Sequence, residues 1–178
     1  RFARENIPAV SQKCDEEETY PDEIRKKAAA EGLVGAWVPE EYGGAGAGSV
    51  GNAIITEEFS KFDMGIALNV TAAGFGCEAI FQYGTEEQKQ TYLPPVCRGE
   101  QVCAGAFTEP NAGTDVAGYK TRAVKDGGDY VINGSKMFIT NGTVCDFMVA
   151  QCITHPEQKK HSSFSMIIVP ADAKGVTR

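Results

Sequence analysis

The spacing of apolar residues changes character near residue 100 of this 178-residue chain. Before that point, apolar residues recur at helical intervals, as at Ile24, Ala28 and Leu33. After Gly99, short apolar runs alternate with glycine-containing turns, which is the pattern of β-strands. A chain with this switch is expected to fold as an all-α domain over residues 1–101 followed by a β domain over residues 102–178.

The helical half carries local signals for where its helices begin and end. Thr85 and Gln88 form a capping-box sequence at the start of one helix. The Pro94-Pro95 pair predicts the end of that helix, because proline lacks the amide hydrogen that a helix interior needs. The run from Ile66 to Phe81 is apolar nearly all round and predicts one buried helix.

The second half predicts an antiparallel β-meander. A turn is expected at Asp126-Gly127-Gly128, and a two-residue hairpin at Asn133-Gly134, a dipeptide that strongly favours such turns. The expected strands cover residues 102–107, 119–125, 130–132, 135–139, 147–153 and 164–169.

Composition and charge exclude several classes of function. Hydrophobic residues make up 42% of the chain, and the net charge is -7. A nucleic-acid-binding protein is not expected, because such affinity depends largely on cations that neutralise phosphates. No run approaches the roughly 18 apolar residues of a membrane helix, and no signal peptide is visible. Since the chain begins at Arg1 and stops soon after Pro170, the natural chain is expected to continue beyond it.

The six cysteines do not form a C-x-x-C pair, and Cys103, Cys145 and Cys152 lie in apolar runs. We interpret them as small buried hydrophobic residues in a reducing compartment, either the cytoplasm or the mitochondrial matrix. No metal site is expected, because His155 and His161 have no partner at ligand spacing.

The first loop that can carry chemistry is AFTEPNAGTD, from Ala106 to Asp115. Backbone amides near Gly113, together with the hydroxyls of Thr108 and Thr114, can hold a pyrophosphate or the carbonyl edge of a ring. The ordinary alternative is a plain connection between two strands.

The second loop is KMFITNG, from Lys136 to Gly142. On a strand, Phe138 and Thr140 would share one face, so that an aromatic ring and a hydroxyl could meet a flat cofactor together. The ordinary alternative is a core aromatic residue beside a threonine at a strand end.

Together and in this order, the two loops resemble the acyl-CoA dehydrogenase family. The resemblance extends to VPEEYGG at Val38–Gly44 and to YGTEEQKQTYLP at Tyr83–Pro94, and it covers nearly the whole chain from about Ile7 onward. It implies an α+β multidomain fold: an α-helical amino-terminal domain, a small antiparallel β-barrel that is incomplete here, and an absent four-helix domain. It also implies FAD, held between the β-barrel, the last domain and a neighbouring subunit of a tetramer or dimer.

The resemblance also assigns roles to individual positions. Thr108 is expected near the pyrimidine edge of the flavin, Thr114 near the pyrophosphate and the acyl-CoA, and Thr140 as a donor toward flavin N5. The residues expected to contact the cofactor are Gly105, Ala106, Phe107, Thr108, Gly113, Thr114, Phe138, Ile139 and Thr140.

Three of these positions depart from the family pattern. Phe138 stands where Trp is frequent, and it keeps an aromatic face but lacks the indole N–H. Thr114 stands where Ser is usual, and Gly105 where many members carry a bulkier aromatic residue. These departures leave the preferred acyl group open.

The implied reaction is FAD-dependent α,β-dehydrogenation of an acyl-CoA thioester to a trans-2-enoyl-CoA, as in fatty-acid β-oxidation, with electrons passed to electron-transferring flavoprotein. The base is expected to be a Glu of the absent domain, so no catalytic residue is assigned in this chain. The isolated chain is expected to bind FAD weakly and to be inactive. An acyl-CoA oxidase and a non-catalytic module with the same fold are the alternatives.

Some charged residues near the two loops admit a second interpretation. Glu109 and Asp115 could form a general acid–base pair, although the resemblance gives them the role of shaping the loop. Lys159 and Lys160 could meet the phosphates of coenzyme A, or they could belong to a solvated loop.

Overall fold

The computed structural model describes residues 1–178, apart from the side chain of Lys160. The chain divides into two compact units, Arg1–Cys103 and Ala104–Arg178. The sequence places the domain boundary between residues 101 and 102, and this boundary remains a prediction.

The first unit is helical. Its helices are α1 (Phe2–Asn6), α2 (Pro8–Glu16), α3 (Asp22–Ala30), α4 (Gly48–Ser60), α5 (Met64–Thr71), α6 (Cys77–Tyr83) and α7 (Glu86–Cys97). Ile7 is fully buried in the core, and the rings of Phe2 and Phe59 stack there with centroids 5.5 Å apart. Burying a side chain of this size stabilises a fold by about 1.5–3 kcal/mol.

Helix α3 shows how local sequence sets the ends of a helix. Asp22 and Glu23 occupy its first turn, where negative charge is favourable. At the other end Gly32 adopts a φ of 70°, and the amide of Leu33 donates to the carbonyl of Ala28 over 2.9 Å. This bond is typical of a Schellman motif, in which glycine takes the left-handed conformation.

The single helix predicted for residues 66–81 is wrong, because the structure contains two helices there. α5 ends at Thr71 and α6 begins at Cys77. Between them the carbonyl of Ala73 accepts a 2.8 Å hydrogen bond from the amide of Cys103, and Gly76 has a φ of 109°. The helical run is therefore interrupted where a glycine takes a left-handed conformation and where a remote segment binds the backbone.

The expectation that Pro94-Pro95 ends its helix is also wrong, since α7 continues to Cys97. The two prolines lack amide donors, but their carbonyls still accept from the amides of Arg98 and Glu100, at 3.0 and 2.8 Å. The buried side chain of Val96 anchors this last turn.

The capping box at the start of α7 is confirmed. The Thr85 hydroxyl accepts from the Gln88 amide at 3.2 Å, and the Gln88 side chain accepts from the Thr85 amide at 2.9 Å. Thr85→Ala is expected to lower the free energy of unfolding by about 1 kcal/mol, because it leaves a helix N-terminal amide without its acceptor.

Urea-induced unfolding measures this effect, with Thr91→Ala as the matched control. Thr91 lies on the same helix and is exposed, and its hydroxyl donates back to the Glu87 carbonyl, a bond that does not stabilise a helix. The control should therefore be neutral or slightly stabilising. Equal losses in the two variants would contradict the capping role.

The second unit is built on a sheet. The strands of this sheet are β1 (Cys103–Ala106), β2 (Arg122–Asp126), β3 (Asp129–Asn133), β4 (Phe147–Ile153) and β5 (Phe164–Pro170), and the first residue of β1 is also the last residue of the first unit. β2 and β3 form an antiparallel hairpin, and β4 and β5 pair antiparallel from Phe147↔Pro170 to Ile153↔Phe164. β4 also borders β1, and Ala106, Ala123, Ala150 and Cys152 pack together in the core.

Two details of the predicted meander are corrected. The sheet is mixed rather than strictly antiparallel, because β2 meets β4 in parallel at Arg122↔Ile153. The hairpin turns at Gly127-Gly128, as expected, but Asn133-Gly134 does not form a hairpin and residues 135–139 do not form a strand. Gly134 instead lies against Thr121, where an added Cβ would stand 2.2 Å from the Thr121 hydroxyl oxygen.

No helix within the described part of the chain is long and apolar enough to cross a membrane.

Candidate functional site

Glu109 lies at the centre of the first loop and is buried, with 7% of its surface exposed. One carboxylate oxygen accepts from the Lys120 amide at 2.6 Å, and the other accepts from the Thr121 amide and the Lys136 ammonium, both at 2.9 Å. Burial raises the pKa of Glu109, but hydrogen bonds from Thr121, Lys120 and Lys136 outweigh it and lower the pKa to about 2. A carboxylate held in this way is a poor proton acceptor, so the loop-shaping role is favoured over the acid–base pair.

Lys136 is the cation that pairs with Glu109. Its side chain is only 12% exposed, and its ammonium donates to the carbonyl of Phe107 at 2.8 Å as well as to Glu109. The same ammonium lies 4.6 Å from the centroid of the Tyr119 ring, a favourable cation–π position. Lys136 is thus surrounded by an anion, a carbonyl and an aromatic face.

These contacts bring the two loops together. Lys136 joins the start of the second loop to Phe107 and Glu109 in the first, and the Met137 amide donates to the Thr108 carbonyl at 2.9 Å. Segments that are well separated in sequence therefore run side by side where the sequence places its candidate residues.

The candidate residues of the first loop differ in burial. Gly105 and Ala106 are buried in β1, Phe107 and Thr108 follow it half-buried, and Gly113 and Thr114 are exposed. The Gly113 carbonyl accepts from the Tyr119 hydroxyl at 3.1 Å, which fixes this turn to the ring that lies against Lys136.

Several donors in this loop have no partner within the described part of the chain. The Thr108 carbonyl is occupied by Met137, whereas the Thr108 amide and hydroxyl have no partner among the described residues. The amides of Gly113 and Thr114 likewise have none within the described chain. Neighbouring free amides of this kind are the groups that bind phosphate oxygens in proteins.

In the second loop, Phe138 adopts an unexpected conformation. Its φ is 57°, and 87% of its surface is exposed, while Ile139 and Thr140 are half-buried. The prediction that Phe138 and Thr140 share one face of a strand is wrong, because residues 135–139 are irregular. A large exposed aromatic ring of this kind offers a flat face on which a planar group can stack.

The contribution of Lys136 and Tyr119 was not anticipated from the sequence. Lys136 opens the KMFITNG segment, but nothing in its local pattern distinguishes a buried lysine from a solvated one. The sequence around Glu109, from Thr108 to Asn111, is largely polar and gives no signal that this carboxylate is buried and needs a partner cation.

The remaining charged candidates do not form a site. Among the described residues there is no group of His, Cys, Asp and Glu that could hold a metal ion. His155 lies 3.5 Å from Glu157 in an exposed pair, and Lys159 is exposed. The two interpretations of Lys160, a contact with coenzyme A or a place in a solvated loop, concern a side chain outside the described residues.

Comparison with known proteins identifies the family. Residues 1–100 match the family model of the acyl-CoA dehydrogenase N-terminal domain, and residues 104–178 match that of the acyl-CoA dehydrogenase middle domain. An acyl-CoA dehydrogenase of Bacillus subtilis is 37% identical over 178 residues, which cover 99% of this chain and 46% of the relative. An acryloyl-CoA reductase (NADH) of Anaerotignum propionicum is 38% identical, covering 98% of this chain and 45% of the relative.

Solved structures agree. A chain in a structure of the electron transferring flavoprotein of Acidaminococcus fermentans has a TM-score of 0.88 and 36% identity, and covers 95% of this chain and 44% of that one. A glutaryl-CoA dehydrogenase of Mycobacterium smegmatis in complex with FADH2 has a TM-score of 0.86 and 30% identity, and the match covers 98% of this chain and 44% of that one.

This chain therefore spans about half the length of the curated relatives it matches. With family models matching both units, it belongs to the acyl-CoA dehydrogenase family.

Proposed function

We propose that the full-length protein is an FAD-dependent acyl-CoA dehydrogenase that converts an acyl-CoA thioester into a trans-2-enoyl-CoA. The observation that carries this proposal is the joining of the two loops by Lys136 and by the Met137–Thr108 hydrogen bond. The first loop supplies backbone donors without a partner among the described residues, and the second loop supplies the exposed ring of Phe138.

The chemistry of these residues fits FAD. The free amides of Gly113 and Thr114 suit its pyrophosphate, and an added Cβ at Gly113 would meet no atom within 4 Å, so a ligand can approach the backbone there. The Thr108 amide and hydroxyl suit the pyrimidine edge, and Phe138 offers a ring face to the isoalloxazine. A relative that is bound to FADH2 supports the same cofactor.

The roles of this chain's residues are binding and orientation. When bound, FAD supplies the two-electron acceptor for the β-hydrogen of the substrate. We assign Gly105, Ala106 and Phe107 to one side of the ring, and Ile139 with Phe138 to the other. Thr140 donates toward N5, Thr114 also contacts the acyl-CoA, and the α-proton is removed by a Glu outside residues 1–178.

The partners follow from the same proposal. Electrons pass to electron-transferring flavoprotein, in keeping with the similarity to a chain in an electron transferring flavoprotein structure. We also propose a tetramer or dimer, and fatty-acid β-oxidation as the setting. All six cysteines are thiols that form no disulfide, in accord with a reducing compartment. The mitochondrial matrix finds no support among the relatives named above, which come from bacteria.

A screen of acyl-CoA esters against the full-length protein tests the proposal. Anaerobic addition of a substrate should bleach the oxidised flavin absorbance and yield an enoyl-CoA. Air should then reoxidise the flavin only slowly, whereas fast reoxidation would identify an oxidase. Absence of bleaching by any short, long, branched or aromatic acyl-CoA would overturn the proposal in favour of a non-catalytic module or a different reaction.

Thr140→Ala in the full-length protein should slow flavin reduction by about tenfold or more while changing the affinity for acyl-CoA less, because a donor aimed at the reacting atom acts mainly in the transition state. Stopped-flow reduction at saturating substrate measures the rate, and titration with a non-reacting CoA ester measures the affinity. Thr143→Ala is the control, since Thr143 is exposed in the same turn. An unchanged reduction rate in Thr140→Ala would count against the N5 role.

A further inference from the structure

The ammonium of Lys136 contacts the peptide unit that joins Phe107 to Thr108. It donates to the Phe107 carbonyl oxygen at 2.8 Å, and the nitrogen of that same peptide unit is the amide of Thr108. The ammonium is largely shielded from water, with a side-chain exposure of 12%. Electrostatic effects are stronger in such a setting than in water.

A cation bound to the carbonyl of a peptide makes the N–H of that peptide a stronger donor, because hydrogen bonds in a chain polarise one another. The Thr108 amide has no partner among the described residues, while the Thr108 carbonyl is already engaged by Met137. The polarised group is therefore the one that remains available to a ligand.

Glu109 balances this cation from the other side. Its carboxylate lies 2.9 Å from the Lys136 ammonium and is fixed by the amides of Lys120 and Thr121. Lys136 contacts the Phe107 carbonyl directly, whereas the carboxylate of Glu109 reaches that peptide through Lys136. The cation and the anion polarise the Phe107–Thr108 peptide in opposite directions. The effect of Lys136 is the larger one, because its ammonium is in direct contact with the peptide.

We propose that Lys136 and Glu109 are positioning residues that set the electron affinity of the bound flavin through the Phe107–Thr108 peptide. This inference rests on the proposed function, which places the pyrimidine edge of FAD at Thr108. Two-electron reduction puts negative charge on that edge, so a polarised Thr108 amide stabilises the reduced cofactor more than the oxidised one.

The midpoint potential of FAD in the full-length holoprotein tests the inference, measured by equilibration with redox dyes. Lys136→Met removes the cation and leaves Glu109, so the potential should become more negative. Glu109→Gln removes the anion and leaves Lys136, so the potential should become more positive. A tenfold change in the affinity for reduced relative to oxidised FAD corresponds to ~30 mV.

Electrostatic control predicts shifts of the midpoint potential with opposite signs in the two single variants. Loosening of the loops would instead shift the potential of both variants in the same direction. The double variant Glu109→Gln/Lys136→Met carries neither charge and should lie between the single variants, and it keeps the test available where Lys136→Met does not fold. Lys125→Met is the control, because Lys125 is an exposed cation of β2 without an ion-pair partner among the described residues.

The outcomes distinguish this inference from the proposed function. A full-length wild-type protein that binds no FAD would overturn the proposed function itself. Bound FAD whose potential is the same in wild type, Glu109→Gln and the double variant, or shifts the same way in both single variants, would overturn only the role of the pair.

Discussion

Glu109→Ala is expected to lower the free energy of unfolding by about 3–5 kcal/mol at neutral pH. The substitution leaves Lys136 buried without its anion, and it removes the acceptor of the Lys120 and Thr121 amides. An uncompensated buried charge costs far more than the loss of an exposed ion pair. Urea-induced unfolding, followed by circular dichroism, measures the change.

The control for this prediction is Glu157→Ala. Glu157 has a side-chain exposure of 68% and pairs with His155 at the surface, so its loss should change the free energy of unfolding by no more than about 0.5 kcal/mol. If Glu109→Ala costs as little as this control, then the Glu109–Lys136 pair is not the element that holds the two loops together.

The same pair predicts a dependence of stability on pH. Because the folded-state pKa of Glu109 is lowered to about 2, its contribution is present above the ordinary carboxyl pKa near 4.5 and is lost as the pH falls toward 2. The loss relative to Glu109→Gln should amount to about 3 kcal/mol between about pH 5 and pH 2. Parallel pH profiles for the two proteins would contradict the lowered pKa.

Gly134→Ala should lower the free energy of unfolding by about 3 kcal/mol, because its Cβ would overlap atoms that cannot easily move. That Cβ would stand 2.7 Å from the Thr121 Cα and 2.6 Å from the Thr121 Cβ. Thr121 is itself buried and donates its amide to Glu109, so a shift of this residue also disturbs the candidate site.

Gly128→Ala is the matched control for this substitution. Gly128 lies in the hairpin turn of the same unit, has no positive φ, and an added Cβ there would meet no atom within 4 Å. Thermal unfolding should show a large decrease in Tm for Gly134→Ala and almost none for Gly128→Ala. Similar Tm values for the two variants would mean that the backbone near Gly134 adapts to the added methyl group.

The features that the sequence predicted correctly depend on residues close together in the chain. Thr85 and Gln88 satisfy each other's amides across one helical turn, and Gly127 supplies a positive φ at the hairpin. The switch from helix to strand near residue 100 depends on the period of apolar residues, which is also a local property.

The features that it missed depend on remote contacts. The Asn133-Gly134 dipeptide predicts a turn. In the structure, however, position 134 requires glycine because Thr121 leaves no room for a Cβ. The long helix predicted through Ala73 is interrupted where the Ala73 carbonyl accepts from the Cys103 amide and Gly76 takes a left-handed conformation. Lys136 contacts Phe107 and Glu109, which are distant from it in sequence. No local sequence pattern predicts these contacts.

The sequence proposes residues for the candidate site, but it does not predict the geometry that brings the two loops together. The resemblance drew attention to Thr108, Thr114 and Thr140, and their role toward FAD stays a prediction. The contact between the two loops could not be inferred from periodicity, because residues 135–139 form no strand. The side chain of Lys136 and the backbone of Met137 supply the link between the two loops instead.

The backbone of Phe138 has a consequence for attempts to improve this protein. A left-handed conformation costs a residue with a side chain about 1–2 kcal/mol, a cost that glycine largely avoids. The substitution Phe138→Gly is therefore expected to raise the Tm. The same substitution removes the aromatic ring that is proposed to face the cofactor. Under the proposed role of Phe138 at the flavin, thermal stability and cofactor binding therefore place opposite requirements on this one side chain.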